Sequence, residues 1–122
     1  MRLKDNLYRV VTTEPTDDGF RCQIRLDADH VIYKAHFPQN PVTPGVCLMQ
    51  MAKEMMEERL GRRLQQKEVP GMKFCRTITP DVEPIFIYSK LVADGDNVSV
   101  KVSVEANGIK YANMTLRFEI DN

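Results

Sequence analysis

Alternation of apolar and polar side chains runs through the second half of the chain. Val98, Val100, Val102 and Val104 fall on one face, and Ser99, Lys101, Ser103 and Glu105 on the other. That period of two marks a strand with one face covered and the other in solvent. Strand-like runs extend over Met72 to Ile78, Ile85 to Ala93, Val98 to Glu105 and Ile109 to Ile120. They are broken by Asp94-Gly95-Asp96-Asn97 and by Asn107-Gly108, the latter a strong two-residue hairpin signal. Nearer the N-terminus, Tyr8 to Thr12 reads as a short strand, and Phe20, Cys22, Ile24 and Leu26 alternate with polar residues through Leu26. Val31-Ile32-Tyr33 is a brief apolar piece read as a further short strand, with His30 a turn residue before it. From about Pro44 to Leu60 the pattern becomes helical. Val46, Cys47, Leu48, Met49, Met51, Ala52, Met55 and Met56 surround its first three turns, so the helix is expected to be buried. Gly61 supplies a C-terminal stop, followed by Arg62 and Arg63. Such a helix needs apolar cover on every side, and a meandering sheet supplies it. The expected architecture is α+β, an antiparallel sheet curled around one central helix.

Composition narrows the choice of function. The 122 residues, 43% hydrophobic and 28% charged, fit one compact domain spanning 1–122. Seventeen basic residues balance seventeen acidic ones, which argues against broad nucleic-acid binding. No segment is apolar for long enough to span a membrane, and the first residues lead into charged sequence, so a cytoplasmic protein is expected. The three cysteines, Cys22, Cys47 and Cys75, are odd in number and lack metal-ligand spacing. Neither a disulfide, nor zinc, nor any other cofactor is expected.

Candidate chemistry gathers just before the helix, in His36-Phe37-Pro38-Gln39-Asn40-Pro41-Val42-Thr43-Pro44-Gly45-Val46. Proline fixes φ and offers no N–H, so Pro38, Pro41 and Pro44 make a stiff, non-helical approach that holds His36. Thr43 suits an N-cap, Pro44 a first helical position, and Gly45 a close approach to the backbone. The first N–H groups of the helix carry the positive end of its dipole and can polarise a carbonyl oxygen as it gains charge. A base and an oxyanion site would then lie side by side.

This segment resembles the active-site motif of the 3-hydroxyacyl-[acyl carrier protein] dehydratases, hotdog-fold hydro-lyases of fatty-acid synthesis. Their motif reads His-Phe-Pro, two residues, Pro, two residues, Pro-Gly-Val, and every fixed position is present. Gly71-Met72-Lys73-Phe74-Cys75-Arg76-Thr77-Ile78-Thr79-Pro80 resembles the family's lysine-phenylalanine strand running into a proline turn. The likeness extends from about Leu26 onward. It implies His36 as the base that takes the C2 proton and Gly45 N–H as donor to the thioester carbonyl oxygen. Val42, whose carbonyl would fix the second ring nitrogen of the histidine, would line the substrate path with Pro44, Val46 and Met49. It also implies a homodimer, with His36 of one subunit facing position 50 of the other, and an acyl carrier protein bearing a 3-hydroxyacyl thioester as partner.

One departure stands out. Fourteen positions after the histidine the family carries an acidic residue, whereas this chain has Gln50. A carboxamide has no titratable proton in the usable range, so Gln50 can orient a hydroxyl or a water but cannot act as the acid. Glu54 lies one helical turn further, about 5.4 Å along the axis, too far to substitute without rearrangement. With Glu57 and Glu58 it is expected to be exposed. The second reading is therefore a catalytically weak or inactive acyl-thioester-binding subunit that pairs with an active dehydratase, and the third is a hotdog thioesterase. Cys47 is expected to pack rather than react, and Met49, Met55 and Phe86 are candidates for the end of an acyl tunnel. Arg59, Arg62 and Arg63 at the helix end, and Lys73 with Arg76, are candidate docking cations for an acidic carrier protein, against a plain reading as solvated charges.

Overall fold

The computed structural model describes residues 2–35 and 39–121; His36, Phe37 and Pro38 lie outside them. Among the described residues six strands and two helices follow one another: β1 (Tyr8–Thr16), β2 (Gly19–Leu26), α1 (Val31–Ala35), α2 (Gly45–Leu60), β3 (Leu64–Phe74), β4 (Ile85–Asp94), β5 (Asn97–Ala106) and β6 (Ile109–Ile120). The strands form one sheet in the order β1-β2-β4-β5-β6-β3, with every neighbouring pair antiparallel. Asn107 and Gly108 both take positive φ in the β5–β6 turn, as a type I′ hairpin demands.

Side chains on the inner face of the sheet alternate with outer ones as the pattern requires. The valines at 98, 100, 102 and 104 are all buried, as are Ala112, Met114, Leu116 and Phe118 beside them on β6. They share one core with Cys47, Leu48, Met51, Ala52, Met55 and Met56 of α2. Tyr88 reaches from β4 to the middle of that helix, where its hydroxyl donates to the Ala52 carbonyl at 2.8 Å, and its ring stacks on Phe20 at 4.1 Å. A flat sheet would not wrap a helix. Register shifts in the β1–β2, β3–β6, β4–β5 and β5–β6 pairings supply the bends. One lies at Lys90, which takes a positive φ and whose N–H is bound by the Asp18 carboxylate at 3.0 Å. Both edge strands contain a proline, Pro15 in β1 and Pro70 in β3, a residue that only an edge tolerates.

Three expectations need correction. Val31–Ala35 is a short helix, not a strand; His30 precedes it, its Nδ1 accepting the Ile32 N–H at 3.0 Å. β3 starts at Leu64, eight positions before the expected Met72, and ends at Phe74. Thr43 does not cap α2. Pro44 occupies the cap position, and the Thr43 side chain is instead buried against the Tyr33 hydroxyl at 2.8 Å. Gly61 ends α2 in the left-handed conformation with its N–H on the Glu57 carbonyl, as expected.

Candidate active site

The start of α2 is held from two sides. Thr43 N–H donates to the Ile78 carbonyl at 2.8 Å, and Tyr33 from α1 grips the Thr43 hydroxyl. Burial raises the Tyr33 phenol above its ordinary pKa, while the Thr43 hydrogen bond opposes this. The N–H groups of Cys47 and Leu48 both return to the Pro44 carbonyl. Those of Gly45 and Val46 precede this ladder, which is where a helix presents donors to an incoming oxygen. Gly45 lines a cleft of about 340 Å³ together with Val42, Pro44, Leu48, Phe74 and Arg76 among others. The Phe74 ring enters it: a Cβ on Gly45 would stand 2.4 Å from the ring's Cζ. Glycine at 45 leaves room for an aromatic ring at the side-chain position, a reason the sequence reading left open.

Gln50 and its neighbour Glu54 form the second cluster. Glu54 is buried, 6% exposed, not displayed on the helix surface as expected. Its Oε2 accepts the Leu3 N–H at 2.8 Å and Gln50 Nε2 at 2.9 Å, and its Oε1 accepts the Lys4 N–H at 2.8 Å and the Tyr8 hydroxyl at 3.1 Å. Burial, with the Glu54 carboxylate beside it, pushes the Tyr8 phenol well above its ordinary pKa, so the phenol remains a donor. A carboxylate has about four lone-pair sites, and these four donors fill them. Glu54 is an anchor for residues 3–8 and cannot stand in as the missing acid. The parts of Leu3, Lys4 and Tyr8 were missed by sequence reasoning, which weighed Glu54 as a substitute acid but expected it on the surface. The available signal was that a helix apolar on nearly every side leaves a carboxylate in its third turn no solvent to face.

The other sequence-predicted residues separate into groups. Val46 is exposed at 65%, and Met49 is half-buried against the core, whereas Met55 and Phe86 are fully inside it. Cys47 is buried, and burial raises its thiol pKa, consistent with packing. Arg76 lines the cleft at the helix start, close in sequence to Lys73. Arg62 and Arg63 instead line an open groove of about 750 Å³ with Gln50, Lys53 and Glu54. The Arg59 guanidinium lies over the Phe20 ring at 5.4 Å. The two basic groups therefore sit at opposite ends of α2 and form no single patch within one chain. His36 lies outside the described residues, and the expected contact with the Val42 carbonyl falls there with it. Among the described residues no helix is long and apolar enough to cross a membrane.

Comparison with known proteins places this architecture. The 3-hydroxyacyl-[acyl-carrier-protein] dehydratase FabZ of Streptococcus mutans serotype c is 24% identical over 116 residues, covering 89% of this chain and 83% of that protein. Among solved structures, the dehydratase heterocomplex ApeI:P from Xenorhabdus doucetiae superposes with a TM-score of 0.71 at 15% identity, over 90% of this chain and 96% of that one. A putative thioesterase from Silicibacter sp. TM1040 gives 0.64 at 11% identity, over 97% and 81%. These likenesses establish the hotdog fold, an antiparallel sheet with one helix at its centre. The family model of the ApeI-like dehydratases matches residues 12–115, most of the chain, and the protein belongs to that family.

Proposed function

We propose that the protein dehydrates 3-hydroxyacyl thioesters carried on acyl carrier protein, giving trans-2-enoyl thioesters and water. The observation that carries this reading is the helix start, where Gly45 lines a cleft and its N–H precedes the helical ladder, nine positions after His36 in a sequence segment that matches the family's motif. The thioester carbonyl oxygen lies at the Gly45 N–H, so charge that develops as His36 takes the C2 proton is met by a fixed dipole. The C3–oxygen bond breaks as the enolate collapses to the double bond. Since Gln50 holds no usable proton and Glu54 is saturated by donors, the proton taken from C2 returns from His36 to the departing hydroxide. Gln50 steers that hydroxyl.

The site takes its parts from two subunits. Gly45 and Gln50 are five residues apart, which turns them about 140° from each other around the helix, and they open on different depressions, the cleft and the groove. A dimer mate brings position 50 to the histidine. The second reading, a subunit completed by a different chain that supplies a carboxyl group, draws on the same missing acid and on the resemblance to a dehydratase heterocomplex. A cytoplasmic location and a carrier protein approaching past Arg76 accompany the main reading.

Turnover of 3-hydroxyacyl-carrier-protein thioesters, followed by enoyl-thioester absorbance, tests it. We expect conversion by the purified protein and none by His36→Ala. Silence of the wild type in both the dehydration and hydration directions would refute dehydration by the homodimer. Activity that appears only on adding a second dehydratase subunit would favour the heteromer.

A further inference from the structure

The β1–β2 hairpin does not close over the last turns of α2. Its pairing register shifts between Val10 and Thr12. Past that bulge Thr13 stands opposite the buried Cys22, with its Oγ1 3.6 Å from the Cys22 Sγ. Threonine is too short to cover this inward position and stays exposed there. What is left is a cavity of about 250 Å³, with a floor of Val10, Phe20, Cys22 and Met55 and a rim that includes Lys4, Glu58 and Arg59. Burial raises the Cys22 thiol above its ordinary pKa, so it is a neutral part of that floor. The cavity shares no residue with the cleft at Gly45 and only Glu58 with the groove at Gln50.

Charge on the rim is uneven. Lys4 Nζ is paired with the Glu58 carboxylate at 3.0 Å. Among the described residues Arg59 has no carboxylate partner, and its guanidinium lies over the Phe20 ring instead. One uncompensated positive charge thus stands above an apolar floor. Phe20 is already stacked on Tyr88 and overlain by Arg59, so a ligand meets mainly the aliphatic surfaces of Val10 and Met55, the latter flexible enough to follow a chain. An engineered cavity of about 150 Å³ takes the six carbons of benzene, and on that scale this one holds an aliphatic chain of about eight to ten. We infer that the cavity between the hairpin and the end of α2 binds a medium-length aliphatic carboxylate, its chain on Val10 and Met55 and its head on Arg59. A planar guanidinium matches both carboxylate oxygens, which an ammonium does not. Such an acid is what hydrolysis of an acyl thioester releases.

Titration of the purified protein with octanoate, octanol and octylammonium, each below its micellar range, tests this by calorimetry and by backbone amide NMR. We expect saturable binding of octanoate, with shifts centred on Thr13, Cys22 and Arg59, and no saturation by octylammonium. Octanol should bind about tenfold more weakly, the loss of one charge-assisted hydrogen bond at a partly open site. Arg59→Gln should bind octanoate and octanol alike. Thr13→Leu should fill the cavity and abolish binding of both without lowering the thermal midpoint. No saturable octanoate binding at millimolar concentration, shifts centred on Gly45 and Leu48 instead, or equal affinity for octanoate and octanol would each overturn the inference in the wild type alone, so it remains refutable if a variant does not fold. A preference for octanoate that survives in Arg59→Gln, or binding that survives in folded Thr13→Leu, would overturn it as well. None of these readings depends on dehydration, whose failure would leave the site standing.

Discussion

Gly45→Ala, taken with Phe74→Ala, probes the join between the helix start and β3. The added Cβ would lie 2.4 Å from Phe74 Cζ and 3.0 and 3.1 Å from the flanking ring carbons. Carbon atoms rest at roughly 3.5 Å or more, so the ring tip must retreat by about 1 Å or leave. Phe74 is 50% exposed and is met at its far end, so it swings out rather than distorting the helix. Half of a phenylalanine surface is about 100 Å², which at about 25 cal/mol per Å² corresponds to some 2.5 kcal/mol of lost burial. Replacing glycine in a helical first turn returns about 0.5–1 kcal/mol. Gly45→Ala should thus cost about 2 kcal/mol in the wild type and stabilise by about 0.5–1 kcal/mol once Phe74→Ala has removed the ring. The coupling is about 2–3 kcal/mol. Urea denaturation of the four proteins at one concentration measures it, a fixed concentration being necessary if subunits associate. An equal effect of Gly45→Ala with and without the ring would refute the packing argument.

Other outcomes follow from the same geometry. Gly19→Ala places a Cβ 2.0 Å from the Tyr88 carbonyl oxygen, a backbone atom held in the β2–β4 pairing, and should cost at least about 3 kcal/mol. Gly71→Ala, with nothing within 4 Å of its Cβ, should stay within about 0.5 kcal/mol; equal thermal midpoints for the two would contradict this. Gln50→Glu sets two carboxyl groups at hydrogen-bond distance around Glu54, and the pair retains one proton to a pH above the ordinary carboxyl range. That proton's contribution is present below the unfolded carboxyl pKa and disappears as pH rises through the folded one. The variant should therefore lose more stability relative to wild type at pH 8 than at pH 5, and an equal loss at both would count against the contact. In the wild type, burial raises the thiols of Cys22 and Cys47 and the phenols of Tyr8, Tyr33 and Tyr88. The folded state holds protons that the unfolded chain releases, so stability should fall from about pH 8.5 upward and more steeply above about pH 10. A urea midpoint that stays flat from pH 7 to 10.5 would contradict the burial of these groups.

The elements legible in the sequence were those whose signal is local. The β5 valines and the Asn107-Gly108 turn carry their own period and backbone requirement, and the helix from Gly45 to Leu60 has both its apolar residues and its stop. Val31–Ala35 is too short to show a period, so the apolar run Val31-Ile32-Tyr33 fits a strand as well as a turn of helix. The first eight of the eleven residues of β3, Leu-Gln-Gln-Lys-Glu-Val-Pro-Gly, lie on the sheet edge and bury little beyond Leu64, so the alternation that reveals a covered strand is missing. Glu54 was misjudged because its partners Leu3, Lys4 and Tyr8 are 46 to 51 residues away, and no pattern along the helix announces them. For Gly45 the sequence indicated a close approach but not that Phe74 makes it.

The strand order also sets when this chain can fold during synthesis. β2 pairs on its inner side with β4, which begins only at Ile85, and β3 pairs only with β6, the last of these six strands in chain order. A growing chain that has delivered the β1–β2 hairpin and α2 has neither the strand that covers the hairpin's open side nor the one that holds β3. Such non-local pairing slows folding, because the closure entropy of the long intervening segment is spent before any contact returns it. Until Ile120 has emerged, the apolar faces of Phe20, Ile24 and the α2 methionines stand open to whatever binds nascent chains, and a nascent protein truncated before β6 leaves them so.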